Sequence, residues 1–160
     1  MAPSPNLKDM KSIYLYSTTC IYTATHALEG RGTEFPFEVY GHPAMKNRDF
    51  SFIPRSIPGA KAPRHQDEVC YGVDLRSVPL DSIWAQQVNL EYLLDAYNDL
   101  AMGDDFFGAD NLHFEHQIGQ GYVRSMIESG STADVIEAMW SGDVEAFKAQ
   151  RKPYLLYPEQ

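Results

Sequence analysis

Hydrophobic and polar positions along the chain change their spacing near its midpoint. In the first half the apolar residues fall in short, partly alternating runs. "SIYLYSTTCIYTATHAL" (12–28), rich in Tyr, Thr and Ile, predicts a strand followed by a second extended piece or a short helical turn. "FPFEVYG" (35–41), "FSFIP" (50–54) and "VCYGVDL" (69–75) predict three further short strands bounded by Gly or Pro. Between the last two, "RSIPGAKAPRHQDE" (55–68) has two prolines and no periodicity, which predicts an irregular surface loop.

In the second half the period lengthens. "NLEYLLDAYNDLA" (89–101) places Leu90, Leu93, Leu94, Tyr97 and Leu100 at helical spacing, with Asn89 as N-cap. "YVRSMIESG" (122–130) puts Val123, Met126 and Ile127 on one face and ends at Gly130. Ser131 and Asp134 form a Ser-x-x-Asp capping pair opening "TADVIEAMW", and a last helix, "DVEAFKAQR", starts after Gly142 and is stopped by Pro153. "YLLY" (154–157) reads as a short terminal strand or tail. Strands first and helices later predict an α+β fold: a small mixed or antiparallel sheet from the N-terminal half packed with helices from the C-terminal half. The proline-rich lead-in over 1–10 reads as a linker, and 11–160 as a single domain.

Composition narrows the partners. A chain of 160 residues is the size of one ordinary domain, and 44% hydrophobic with 22% charged residues is a globular balance. No run approaches the roughly 18 apolar residues of a membrane span. The formal charge of -9, with 13 scattered Lys and Arg, argues against a nucleic-acid partner, because phosphate binding is driven by clustered cations. Cys20 and Cys70 fit neither a dense disulfide framework nor a CxxC metal site, leaving one bridge or two buried thiols open. The His113-x-x-His116 pair suits a metal only if helical, and glycines flank it closely, so neither a metal nor a cofactor is expected.

The stretch that invites chemistry is "EGRGTEFPFEVYGHP" (29–43). Gly30 and Gly32 free the backbone for positive φ or for close approach of a ligand, and Arg31 between them offers a planar five-donor fork that suits a carboxylate. Two readings stay open. The turn holds an acidic ligand, or the glycines make a tight bend and Arg31 ties internally to Glu29, Glu34 or Glu38.

The same stretch resembles the C-terminal domain of the exo-β-N-acetylmuramidase, NamZ-like family: Cys20, then Glu29 to Thr33, then Pro36-Phe37 and Gly41-x-Pro43. "PSPNL" (3–7) is similar to that family's junction between domains, "FIPRSIPGAKAPRHQDEVCYG" (52–72) to its Phe-x-Pro loop, and "VEAFKAQRKPYLLY" (144–157) to its ending. The resemblance implies an enzyme that removes N-acetylmuramic acid from the non-reducing end of peptidoglycan fragments, in a cleft between a Rossmann-like N-terminal domain and this one. It implies that Arg31 binds the lactyl carboxylate while Glu29, Gly30, Gly32 and Thr33 shape the pocket. It also implies a periplasmic or extracellular location. Two departures or retentions bear on this: Thr23 stands where the family has a carboxylate, and Phe114, Glu115, Gly119 and Arg124 keep its pattern. Glycoside hydrolysis normally needs two carboxyl groups across the bond, so this part alone is expected to be catalytically incomplete, with the catalytic residues unassigned. The alternative is a non-catalytic module that binds a glycan or a partner domain through aromatics such as Tyr14, Tyr16 and Phe37.

Overall fold

The structure, a computed structural model, describes residues 3–108 and 113–157. It opens with a helix, not a strand: α1 (Met10–Thr19), continued by a 3₁₀ turn Cys20–Ala24. The expected extended reading of 12–28 is therefore corrected, and the reason lies in the buried face. That face consists of Ser12, Leu15, Thr18 and Thr19, so its helical spacing is carried mostly by hydroxyl residues that a hydrophobic pattern does not register. Thr19 donates to the Leu15 carbonyl at 2.9 Å and to the Phe37 carbonyl at 3.0 Å, which removes the cost of burying it. A capping box starts the helix: Asp9 accepts from the Ser12 amide at 2.8 Å, and the Asp9 amide donates to Ser12 Oγ at 3.2 Å.

Three strands follow, β1 (Val39–His42), β2 (Phe50–Phe52) and β3 (Cys70–Asp74), each shorter than the run that predicted it. They form one antiparallel sheet in the order β1-β3-β2, with Gly41 opposite Gly72 and Phe52 opposite Cys70. The long β2–β3 connection is irregular, as its prolines predict.

Helices α2 (Leu80–Gln86), α3 (Glu91–Leu100), α4 (His113–Ile118), α5 (Val123–Glu128) and α6 (Ala133–Arg151) complete the domain. α2, and a 3₁₀ turn at Gly103–Phe107, lie in stretches too short for periodicity to register. Three boundary expectations are corrected. The N-cap of α3 is Leu90, although Asn89 Oδ1 does accept from the Glu91 amide at 2.9 Å. α6 begins after Thr132 with no side-chain cap, so Ser131 and Asp134 make no capping pair. α6 also runs unbroken through Gly142, because one glycine costs a helix only about 1 kcal/mol. Pro153 falls in a closing 3₁₀ turn, Lys152–Tyr154, and Leu155–Tyr157 form a tail rather than a strand.

One large core joins these layers. Leu15, Tyr22, Tyr40, Leu93, Phe106, Phe114 and Ile136 belong to it, while a smaller cluster of Leu28, Val39, Phe52 and Cys70 forms beside it. Tyr40 of β1 stacks on Tyr22 with ring centroids 4.9 Å apart, locking the sheet to the Cys20–Ala24 turn. Among the described residues no helix is long and apolar enough to cross a membrane.

Candidate functional site

The segment between α1 and β1 folds back on itself by means of two left-handed glycines. Gly30 has φ +78° and Gly32 φ +87°. A Cβ at Gly32 would lie 2.7 Å from Pro63 Cγ and 2.9 Å from the Arg55 carbonyl, so the β2–β3 loop presses directly on this backbone. Thr33 ties the turn shut, donating to the Gly30 carbonyl at 2.6 Å and accepting from the Phe35 amide at 3.1 Å. The Arg55 amide bonds the Gly32 carbonyl at 2.7 Å, fastening the loop to the turn.

Between them sits Glu29, only 2% exposed, with an arginine on each oxygen: Arg31 Nη1 at 3.2 Å from Oε1 and Arg64 Nη2 at 3.3 Å from Oε2. Of the three glutamates open to Arg31 in the sequence, it selects Glu29. Glu34 pairs with Lys8 at 3.2 Å, and Glu38 is buried elsewhere, its pKa raised first by that burial. Arg64 also donates to the carbonyls of Tyr22, at 2.8 Å, and Thr25, so it knits the 3₁₀ turn to the site. Two guanidinium groups against one carboxylate leave the cluster net positive, within a chain of formal charge -9.

Beneath Arg31 lies Phe37, whose ring centroid is 5.0 Å from the guanidinium carbon. Phe37 has φ +69°, unusual for a bulky residue, and is 1% exposed. Its amide donates to the Glu29 carbonyl at 2.7 Å and its carbonyl accepts from Thr19, which holds the strained backbone in place. Phe37 is thus a core residue and not a stacking platform. Tyr16, 40% exposed, packs edge-on against it with centroids 4.9 Å apart, and Tyr14 lies 5.0 Å from Trp84.

Glu29 and Arg31 open onto a cleft of about 440 Å³ whose wall also includes Asn6, Thr23, Pro63 and Arg64. Arg31 and Arg64 both line this cleft, each with 38% of its side chain exposed. The internal tie of Arg31 to Glu29 is present, and the Arg31 side chain also lines the cleft. Thr23 reaches the same cleft and donates to the Cys20 carbonyl at 2.7 Å. Among the described residues that line it, Glu29 is the only carboxylate.

Arg64 is the site residue that the sequence reading missed. It sits in a loop whose prolines signal irregularity, and nothing local ties position 64 to position 29. The retained Glu115 and Arg124 lie in a different cluster: Arg124 pairs with Glu115 at 3.8 Å, with Glu128 at 3.0 Å and with Asp104. His113 and His116 do fall on a helix, α4, but among the described residues no group of three potential metal ligands forms. Cys20 and Cys70 are free thiols. Burial raises both pKa values, that of Cys70 to about 12.

Comparison with known proteins agrees with this geometry. The family model described as "Exo-beta-N-acetylmuramidase NamZ, C-terminal" matches residues 14–157. The peptidoglycan beta-N-acetylmuramidase NamZ of Bacillus subtilis (strain 168) is 30% identical over 97% of this chain, which spans 40% of that protein. The crystal structure of a DUF1343 family protein from Bacteroides fragilis NCTC 9343 is 52% identical, with a TM-score of 0.94 over 99% of this chain and 44% of that one. The chain thus spans less than half the length of the relatives it matches. It belongs to the family of C-terminal domains of the exo-β-N-acetylmuramidase NamZ.

Proposed function

We propose that this chain forms one wall of the substrate cleft of a peptidoglycan exo-β-N-acetylmuramidase that releases non-reducing-end N-acetylmuramic acid, the other wall coming from a preceding domain of the polypeptide. The observation that carries this reading is Arg31: held on one side by buried Glu29, braced over Phe37, and exposed to a net positive cleft. N-acetylmuramic acid differs from N-acetylglucosamine by a lactyl ether whose carboxylate is ionised at neutral pH. A pre-positioned guanidinium discriminates between the two sugars by a charge-assisted hydrogen bond, because little of its rotamer freedom remains to be lost on binding.

Each neighbour has a part in that positioning. Gly30 and Gly32 give the turn its left-handed backbone, Thr33 closes it, and Glu29 aims Arg31 while Arg64 holds Glu29. Chemistry of the glycosidic bond lies elsewhere. Retaining and inverting glycosidases alike use two carboxyl groups. This wall supplies one, engaged by two arginines, and Thr23 offers a hydroxyl where the family pattern has an acid. The catalytic acids on this reading belong to the preceding domain. On this reading the working protein acts on peptidoglycan fragments in the periplasm or outside the cell.

The test is titration of the isotopically labelled chain with N-acetylmuramic acid and, separately, N-acetylglucosamine, following the arginine Nε–Hε signals by NMR. Arg31 is expected to shift with the first sugar and not the second, and Arg31→Lys is expected to abolish the difference. Equal response to both sugars, or to neither at tens of millimolar, counts against the assignment.

A further inference from the structure

The second half of α6 is exposed. Only Ala133 and Ile136 of this helix are buried, Trp140 is half-buried, and every residue from 141 to 150 is exposed. At 1.5 Å per residue, about 15 Å of helix projects from the body. Its apolar residues are not scattered: Trp140, Val144 and Phe147 follow i, i+4, i+7 and form one stripe. The tail that follows exposes further apolar side chains, with Tyr154 at 80%, Leu156 at 91% and Tyr157 at 82%. The stripe forms one side of a groove of about 780 Å³ whose other side includes Ser17, Cys20, Ile21 and Val88.

We infer that this arm, from Trp140 to Tyr157, is the docking surface for the additional polypeptide that the relatives carry ahead of this domain, and that the arm braces that polypeptide against the cleft. Three observations select this occupant. Covering the stripe of Trp140, Val144 and Phe147 would remove contiguous apolar surface from water, which favours an occupant. The Bacteroides fragilis crystal structure matches 99% of this chain, the arm included, and more than half of that protein's chain lies outside the matched region. The family match extends to residue 157, so the exposed apolar tail belongs to the shared pattern. The groove also lies beside the site: Cys20 lines the groove and Thr23 the cleft, and both belong to the same 3₁₀ turn. A chain seated in the groove is thereby placed against the turn whose Thr23 reaches the cleft. This deepens the proposed function and rests on its premise that the second wall comes from a preceding domain.

Hydrogen exchange followed by mass spectrometry tests it. One sample is this chain alone, with its mass in solution measured by light scattering. The other is a chimera in which this chain replaces the matching region of the Bacteroides fragilis protein, with the unaltered Bacteroides fragilis protein run beside it. Exchange over 141–157 is expected to be fast in the isolated, monomeric chain and at least about tenfold slower in the chimera. Phe147→Asp with Leu156→Asp is expected to restore fast exchange there while leaving α3 amides protected. Equally fast exchange in the isolated chain, the chimera and the matching segment of the unaltered protein overturns the proposal. So does protection in the isolated chain accompanied by a dimer mass, which makes a second copy the occupant. Because no sugar is involved, failure here and failure of the sugar titration are separate results.

Discussion

Replacing Arg64 with alanine is expected to cost the fold several times what replacing Arg31 costs, although the two side chains are equally exposed at 38%. The difference lies in what each leaves behind. Without Arg64, one oxygen of a carboxylate that is only 2% exposed loses its partner, the Thr25 carbonyl loses its guanidinium donor, and the Tyr22 carbonyl keeps only the Thr25 amide and hydroxyl. The Glu29 pair has the same exposure as that of Arg31 and costs about the same, under about 1 kcal/mol, while the two charge-assisted hydrogen bonds to carbonyls add about 2 kcal/mol, about 3 kcal/mol in all. Without Arg31, Glu29 keeps Arg64, and the loss is one half-exposed ion pair plus a cation–π contact, together about 1 kcal/mol. At about 2–4 °C per kcal/mol for a domain of this size, Arg64→Ala lowers Tm by about 6–12 °C and Arg31→Ala by about 2–4 °C. Urea unfolding of both variants, each also made in a Glu29→Gln background, measures the costs and the coupling. A larger cost for Arg31→Ala, or an Arg64–Glu29 coupling below about 0.5 kcal/mol, refutes the reasoning.

Other positions make further tests. Gly32→Ala combines left-handed strain of about 1–2 kcal/mol with a Cβ 2.7 Å from Pro63, so a loss above roughly 2 kcal/mol is expected in urea melts. Gly142→Ala meets open space in a helix interior and is expected to stabilise by about 0.5–1 kcal/mol in the same assay. His42 has its pKa lowered from 6.5 to about 4, by desolvation first and then by His65 and His26. The unfolded chain therefore binds a proton that the fold refuses, so this contribution to stability is complete above pH 6.5 and declines as pH falls toward 4. Tm measured against pH is expected to flatten in that window for His42→Gln. Since burial raises both thiol pKa values, Cys70 is expected to be silent toward a disulfide reagent at mildly alkaline pH and the less buried Cys20 slow, with both reacting rapidly in denaturant.

The chain itself determined its class and its chemistry-bearing residues where these are written in local pattern. The 3.6-residue spacing of Leu90, Leu93 and Leu94 specified α3, the Gly- and Pro-bounded runs specified three strands, and the glycine-flanked Arg31 identified the turn, because spacing and backbone freedom are properties of neighbouring residues. The family resemblance was legible for the same reason, as ordered short motifs. α1 was not, because burial there is achieved by Ser12, Thr18 and Thr19, and a hydroxyl that finds a carbonyl in the folded state looks polar in the sequence. Nor was the continuity of α6 through Gly142, which the helix tolerates at small cost. Only the tertiary structure chose Glu29 over Glu34 and Glu38 as the partner of Arg31, and brought Arg64 from 35 positions away to its second oxygen. Which charges meet depends on how the β2–β3 loop folds back onto the turn, and that path is decided by packing between distant segments.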